Sequence, residues 1–180
     1  EIEIQKFFTG VRKTLLQKDE LVVEVVFKPL TEEHKSTFVK NALRRAQAIS
    51  VLNVSCVTKI IDGVVAEARI ALGAVSTTVM RATDAENFII GKKADPELIH
   101  KTAELAAKSA HPINDIRSSM AYRKKMVTVL VKRALEQTLL GIGEPPKIEG
   151  VVLWGKNIST YKPLNGNDLV FDKNSALSMK

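Results

Sequence analysis

The stretch ISVLNVSCVTKIIDGVVAEARIAL, residues 49–72, decides the fold of this chain. Two runs of β-branched and small residues flank Asp62-Gly63, a dipeptide that suits the positive φ angles of a tight hairpin turn. On the second arm an apolar set alternates with a more polar one and is expected to face a core: Val64, Ala66, Ala68, Ile70 and Leu72. The pattern predicts a β-hairpin in an antiparallel sheet with one buried face.

Shorter strand signals flank the hairpin. Residues 21–27 are rich in β-branched side chains and end before Pro29, which predicts a strand. Residues 37–40 suggest a second short strand, although residues 41–47 could equally begin a helical turn. After the hairpin, Val151-Val152-Leu153-Trp154 also has the composition of a strand.

Three helices are predicted after residue 80. Thr83-Asp84-Ala85-Glu86 has the spacing of a capping box at a helix N-terminus, and Gly91 is placed to end that helix. A second helix begins at Asp95-Pro96-Glu97, with aspartate as the N-cap residue and proline at the first helical position. Its expected inward stripe is Leu98, Ile99, Thr102, Leu105 and Ala106, with Ser109 at its end.

The third helix is the longest, from about Ser118 to Leu140, with Gly141 at its end and Asn114 and Asp115 as cap candidates before it. Its apolar positions recur at helical spacing. They are Val127, Leu130, Val131, Ala134, Leu135 and Thr138. Strands followed by helices indicate an α+β fold, with an antiparallel β-sheet that contains a hairpin and helices packed on one side.

Composition limits the function classes. The chain has 180 residues, 45% of them hydrophobic and 26% charged, and contains no apolar run long enough to cross a bilayer. We find no export signal at its start and expect a cytoplasmic protein without membrane contact. Its one cysteine, Cys56, and three separated histidines have no metal-ligand spacing, and Cys56 is expected to pack as a small apolar residue. No catalytic constellation and no metal site is predicted.

The net charge of +7 raises the possibility of nucleic-acid binding. The cations occur as scattered pairs, and aromatic residues make up only 5% of the chain. Few aromatic side chains are therefore available to stack on nucleic-acid bases. Nucleic acid is therefore disfavoured as a partner. A stand-alone basic module for nucleic acid or an acidic protein remains the alternative function, and a purely structural domain is a third.

Five stretches of the sequence form an ordered set of motifs. The first is FFTGVRKT at residues 7–14, and the second is FVKNALRRAQAI at residues 38–49. The others are ALGAV at residues 71–75 with Arg81-Ala82 following, PINDIRSSMAYR at residues 112–123 and LVKRAL at residues 130–135. These stretches resemble the FAD-carrying subunit of molybdenum hydroxylases, the group of xanthine dehydrogenase, aldehyde oxidase and aerobic carbon monoxide dehydrogenase. Their shared order covers residues 7–140 and identifies the chain as similar to the C-terminal domain of these flavin subunits.

The resemblance implies a division of the chain and a place in a complex. Residues 1–20 would lead out of a missing FAD domain, residues 21–142 would form the flavoprotein C-terminal domain, and residues 143–180 would be a tail or linker. The domain would help to enclose FAD, shared with the N-terminal FAD-binding domain, while electrons pass between iron–sulfur clusters, flavin and an acceptor. The large subunit would carry the molybdenum cofactor and the small subunit the [2Fe-2S] clusters. The chain alone is expected to be inactive.

Two residues are assigned to the cofactor by the resemblance. Lys40, four residues before Arg44-Arg45, matches a lysine that approaches the flavin, and Val22 matches an apolar residue that lines it. From the residues alone, Lys40 could equally be a solvated strand residue, and Val22 could belong to the core. The sequence departs from the family pattern at Thr9, Val11 and Ala48, where proline, tyrosine and aspartate are frequent.

Overall fold

The computed structural model describes residues 1–44 and 46–143, and the backbone of residues 151–152 and 160–161. The chain divides into two units, Glu1–Glu144 and Pro145–Lys180. The elements in order are α1 (Ile4–Phe7), β1 (Phe8–Gly10), β2 (Lys13–Thr14), β3 (His34–Ala42), β4 (Ser50–Ile61), β5 (Val64–Gly73), β6 (Met80–Arg81), α2 (Thr83–Ile89), α3 (Pro96–Ser109), α4 (Met120–Leu140), β7 (Val151–Val152) and β8 (Thr160–Tyr161).

The predicted hairpin is confirmed as β4 and β5. Asp62 and Gly63 have φ angles of 51° and 77°, as the turn requires. The register shifts between Lys59 and Ile60, so that Ala66 is the extra residue of a β-bulge. The predicted core-facing set is therefore wrong at its start. Val65 is fully buried, whereas Val64 and Ala66 are not.

The main sheet has four strands in the order β3-β4-β5-β6, and each neighbouring pair is antiparallel. β3 is longer than the predicted strand at residues 37–40 and pairs along most of β4. It continues through Ala42, and the described residues that follow do not begin a helix. The ambiguity is therefore settled in favour of strand and bend at residues 41–44 and 46–47.

Helices α2, α3 and α4 lie on one face of this sheet, which confirms the α+β class. α4 packs on β3 and β4, α3 packs on α4, and α2 contacts β5. Thr37 Oγ1 on β3 donates to Gln137 Oε1 on α4 over 2.6 Å, and Cys56 on β4 is buried beside Thr138. All six predicted core positions of α4 are buried. A fully buried leucine such as Leu52 stabilises the fold by about 1.5–3 kcal/mol relative to an exposed one.

The predicted capping box of α2 is wrong. The N-cap residue is Ala82, which makes no side-chain cap, and Thr83 lies on the first turn, exposed. Glu86 is instead buried and accepts hydrogen bonds from the Ile70 backbone N–H and the Arg81 guanidinium. A partner on another element thus takes the carboxylate that the local spacing assigned to the helix end. Gly91, with φ of 80°, ends α2 as predicted.

The ends of α3 and α4 follow the sequence more closely. Asp95 Oδ1 accepts from the Leu98 backbone N–H over 2.8 Å, as an N-cap aspartate should. The N-cap of α4 is Ser119, while Asn114 Oδ1 accepts from the Met120 N–H over 2.6 Å. Gly141 ends α4 with φ of 69°. In the stripe of α3, Leu105 is only half-buried, and Ala103 and Ala107 are buried in addition to the predicted positions.

The predicted strand at residues 21–27 is wrong for this chain. Its residues have no regular secondary structure, and its large apolar side chains are exposed. A strand needs a neighbour to bond its backbone, and no described strand pairs with this segment. Of the predicted strand Val151–Trp154, the first two residues form β7 and pair with β8, while Leu153 and Trp154 lie outside the described residues. In the described part of the chain, every helix is too short or too polar to cross a membrane.

Candidate functional site

The face of the main sheet opposite α4 carries the predicted site residue Lys40. Thr37 and Cys56 are paired in the register and contact α4, so the alternate positions of β3 and β4 point the other way. On that outer face Lys40 lies opposite Asn53, and Asn53 lies opposite Gly73 on β5. Three strands therefore bring one cation, one carboxamide and one glycine into a single row.

The next row along the outer face is Phe38, Ser55 and Ala71. Phe38 is 62% exposed, an unusual position for a phenylalanine, and Lys40 beside it is also exposed. Lys35 is on the same strand but at an alternate position, opposite the buried Thr58 on the helix-covered face. The outer face thus combines a positive charge with exposed apolar and small side chains, as a planar, partly polar ligand requires.

Asn53 and Gly73 approach each other closely. A Cβ atom on Gly73 would lie 2.9 Å from Asn53 Nδ2 and closer still to Oδ1, so any larger residue would displace the carboxamide. Asn53 Nδ2 also donates to Ser50 Oγ over 3.0 Å, at the place where the β3–β4 register shifts. The Asn53 side chain therefore lies close to Gly73 and is held by one hydrogen bond.

Arg123 on α4 holds the turn that follows Gly73. Arg123 is buried, and its Nη1 donates to the carbonyl of Ala74, a residue with φ of 62°. Its Nη2 donates to Asp115 Oδ1 over 2.6 Å. The Arg117 backbone N–H, together with Arg123 and the Ser118 N–H, lowers the pKa of Asp115 to about 2 against the opposing effect of desolvation. Asp115 thus stays ionised and keeps Arg123 paired at neutral pH.

A cleft of about 520 Å³ opens at the β5–β6 edge of the sheet. It is lined by Ile4, Gln5, Phe8, Ala71, Thr78, Val79, Met80 and Arg81. Arg81 is held there by Glu86, with Nε to Oε1 at 2.6 Å and Nη2 to Oε2 at 2.7 Å. Since its charge is neutralised by Glu86, Arg81 is a structural cation of this edge rather than a free anion anchor.

The second predicted site residue does not lie on the sheet that carries the first. Val22 is 50% exposed and lies in the irregular segment at residues 21–30, outside the sheet that carries Lys40. Cys56 is buried as predicted, and burial raises the pKa of its thiol to about 12. Such a thiol is a poor nucleophile. No group of acidic, histidine or cysteine side chains in the described part of the chain is arranged to hold a metal ion.

Sequence reasoning missed Asn53 and Gly73 as parts of this face, and Arg123 as the support of the turn after Gly73. Each is ordinary in its local context, and only the register of three strands and the packing of α4 joins them. A partial signal was present, because Gly73 interrupts the alternation of β5 directly after its apolar run.

The chain was compared with known proteins. Residues 37–138, more than half of the chain, match the family described as CO dehydrogenase flavoprotein C-terminal domain. The glyceraldehyde dehydrogenase medium chain of Sulfolobus acidocaldarius is 29% identical over 131 residues, which are 73% of this chain and 46% of that protein. The nicotine 6-hydroxylase medium subunit of Paenarthrobacter nicotinovorans is 29% identical over 134 residues, 74% of this chain and 46% of that protein.

A solved structure gives the same result. The carbon monoxide dehydrogenase of Hydrogenophaga pseudoflava that lacks the Mo-pyranopterin moiety superposes with a TM-score of 0.71 and 29% identity. The match covers 76% of this chain and 47% of that one. This chain thus spans slightly less than half the length of these three proteins.

Proposed function

This chain belongs to the family of CO dehydrogenase flavoprotein C-terminal domains, and we propose that it forms one wall of an FAD site in the flavin subunit of a molybdenum hydroxylase. The observation that carries the proposal is the row of Lys40, Asn53 and Gly73 on the face of the sheet opposite α4. All three positions lie within the matched residues 37–138.

The outer face fits part of FAD but not all of it. A cation beside an exposed aromatic ring and small side chains suits the edge and plane of an isoalloxazine ring. The sequence contains no glycine-rich loop of the kind that grips a pyrophosphate. The domain therefore supplies one wall, and a second domain, the FAD-binding N-terminal one, supplies the phosphate contacts.

When bound, FAD supplies redox chemistry that no side chain of this chain can provide. The task of Lys40 is electrostatic. Its ammonium donates hydrogen bonds and favours negative charge on the ring beside it, which raises the reduction potential of the site. The exposed residues 21–27, including Val22, would gain cover from the N-terminal domain, and Val22 would then line the flavin.

In a molybdenum hydroxylase, the flavin subunit would take part in electron transfer. Electrons would pass between [2Fe-2S] clusters in a small subunit, the flavin, and an external acceptor. Hydroxylation would take place at a molybdenum cofactor in a large subunit, so this chain alone would be inactive. The family match favours this role over a stand-alone basic module, whose main support is the net charge of +7.

The test compares two lysines of β3 in the complete flavin subunit that contains this chain. Lys40→Met removes the cation from the outer face, and Lys35→Met removes one from the helix-covered face of the same strand. We expect Lys40→Met to weaken FAD binding about tenfold and to lower its reduction potential, since one charged hydrogen bond is worth roughly 1.5 kcal/mol or more. Lys35→Met should change neither quantity. Equal FAD affinity and equal potential in both variants would refute the proposed site.

A further inference from the structure

We infer that Asn53 is a second hydrogen-bonding contact for the flavin ring, beside Lys40 on the outer face of the sheet. This inference rests on the proposed function. Asn53 lies directly opposite Lys40 in the β3–β4 register, so both side chains leave the sheet on the same side and in the same row. A ring that reaches the Lys40 ammonium therefore lies within reach of the Asn53 carboxamide.

Three neighbouring residues fix the position of the Asn53 side chain. Its Nδ2 is engaged by Ser50 Oγ, which fixes the direction of the carboxamide. Gly73 leaves the space that the side chain fills, and Arg123 holds the turn that follows Gly73 through the Ala74 carbonyl. A surface asparagine without a ligand needs none of these supports. Their convergence indicates a side chain whose orientation matters.

The Asn53 carboxamide has hydrogen-bonding capacity left over, because the bond to Ser50 uses only one of its N–H groups. Within residues 1–44 and 46–143, Asn53 Oδ1 receives no hydrogen bond, although the side chain is half-buried. An isoalloxazine ring presents both N–H donors and carbonyl acceptors along its edge. Asn53 Oδ1 can accept from such an N–H while Lys40 donates to an acceptor, so the two residues together fix the orientation of the ring.

The chemistry of this pair differs from that of a buried structural amide. Lys40 supplies a positive charge, whereas Asn53 supplies directional hydrogen bonds without a charge. Replacing Asn53 by aspartate keeps its shape and places a negative charge beside the ring. The flavin potential should then fall, because added negative charge opposes reduction.

The experiment uses the complete flavin subunit and measures the FAD dissociation constant and the flavin reduction potential. Asn53→Ala should weaken FAD binding about tenfold, the loss expected for one hydrogen bond to a ligand. Asn53→Asp should lower the potential below that of the unaltered protein. Gly73→Ala, which leaves Asn53 in place chemically but displaces its side chain, should weaken FAD binding in the same direction as Asn53→Ala.

Asn41→Ala is the matched control, because Asn41 is also a strand asparagine but lies on the helix-covered face, where its Nδ2 donates to Tyr122 Oη. It should leave both quantities unchanged. If Asn53→Ala and Asn53→Asp behave like Asn41→Ala while Lys40→Met weakens FAD binding, the inference about Asn53 is wrong and the flavin site stands. If Lys40→Met also has no effect, the proposed function itself fails.

Discussion

Glu86 is the residue at which local sequence and tertiary structure give opposite predictions. A capping box would join Glu86 to Thr83 and make both contribute to the start of α2. In the structure Glu86 is 5% exposed and accepts hydrogen bonds from the Ile70 N–H and from two nitrogens of Arg81, all within 2.7 Å. Glu86→Ala and Thr83→Ala therefore separate the two arrangements.

The expected magnitude follows from the groups left behind. Removing one partner of a buried ion pair costs about 3–5 kcal/mol, because the other charge stays desolvated. The Arg81 side chain is 35% exposed and regains some hydration, which reduces the expected cost for Glu86→Ala to about 2–3 kcal/mol. This corresponds to a fall in Tm of roughly 4–12 °C for a chain of this size. Thr83→Ala at an exposed site should stay within about 0.5 kcal/mol.

Urea unfolding of the 180-residue chain, followed by circular dichroism, measures both variants. Arg81→Ala and the double variant complete a cycle, and a coupling energy of at least about 1.5 kcal/mol between residues 81 and 86 is expected for a close charged pair. The reasoning is refuted if Thr83→Ala and Glu86→Ala each cost about 1 kcal/mol, as two members of a capping box would. A coupling energy near zero would refute it equally.

Three further predictions concern the pH dependence, the thiol and the hairpin turn. The pKa of Asp115 is lowered from 3.8 to about 2 in the folded state, so its ionised carboxylate stabilises the protein above the unfolded pKa, and this stabilisation is lost as pH falls toward 2. The difference in free energy of unfolding between the unaltered chain and Asp115→Asn should therefore narrow as pH falls from about 5 to about 2. A constant difference in urea titrations would contradict this. Cys56 should react with a thiol reagent at mildly alkaline pH only when the protein unfolds, so fast labelling of the native protein would contradict its burial. Gly63→Ala should cost about 1 kcal/mol because Gly63 has φ of 77°, whereas Gly10→Ala, at a glycine without positive φ and with open space around it, should cost less.

The parts of the fold that depend on neighbours in sequence could be predicted. The alternation of β5, the turn at Asp62-Gly63 and the helical spacing of α4 are local patterns, and the structure confirms each element. The bulge at Ala66 could not be foreseen, because it depends on how β4 pairs with β5. The segment at residues 21–27 could not be predicted from composition either. It has the composition of a strand, but no described strand pairs with it.

The candidate site also combines a residue found from the sequence with residues that only the strand register brings together. Lys40 came from a resemblance of sequence, and nothing in its own neighbourhood distinguishes it from a solvated lysine. Asn53 and Gly73 join it only through the register of β3, β4 and β5, which sequence patterns do not determine. Glu86 was visible in the sequence but assigned to the wrong partner, because its donors lie on β5 and β6.

The most direct test of the proposed flavin wall is the oxidation of Phe38 by hydroxyl radicals in the complete flavin subunit, with and without FAD. Phe38 is 62% exposed on the outer face, and Tyr122, at the start of α4 on the opposite side, is 47% exposed and serves as the internal reference. If FAD lies on the outer face, its removal should raise the oxidation rate of Phe38 several-fold and leave that of Tyr122 unchanged. Equal rates at Phe38 with and without FAD would contradict the account.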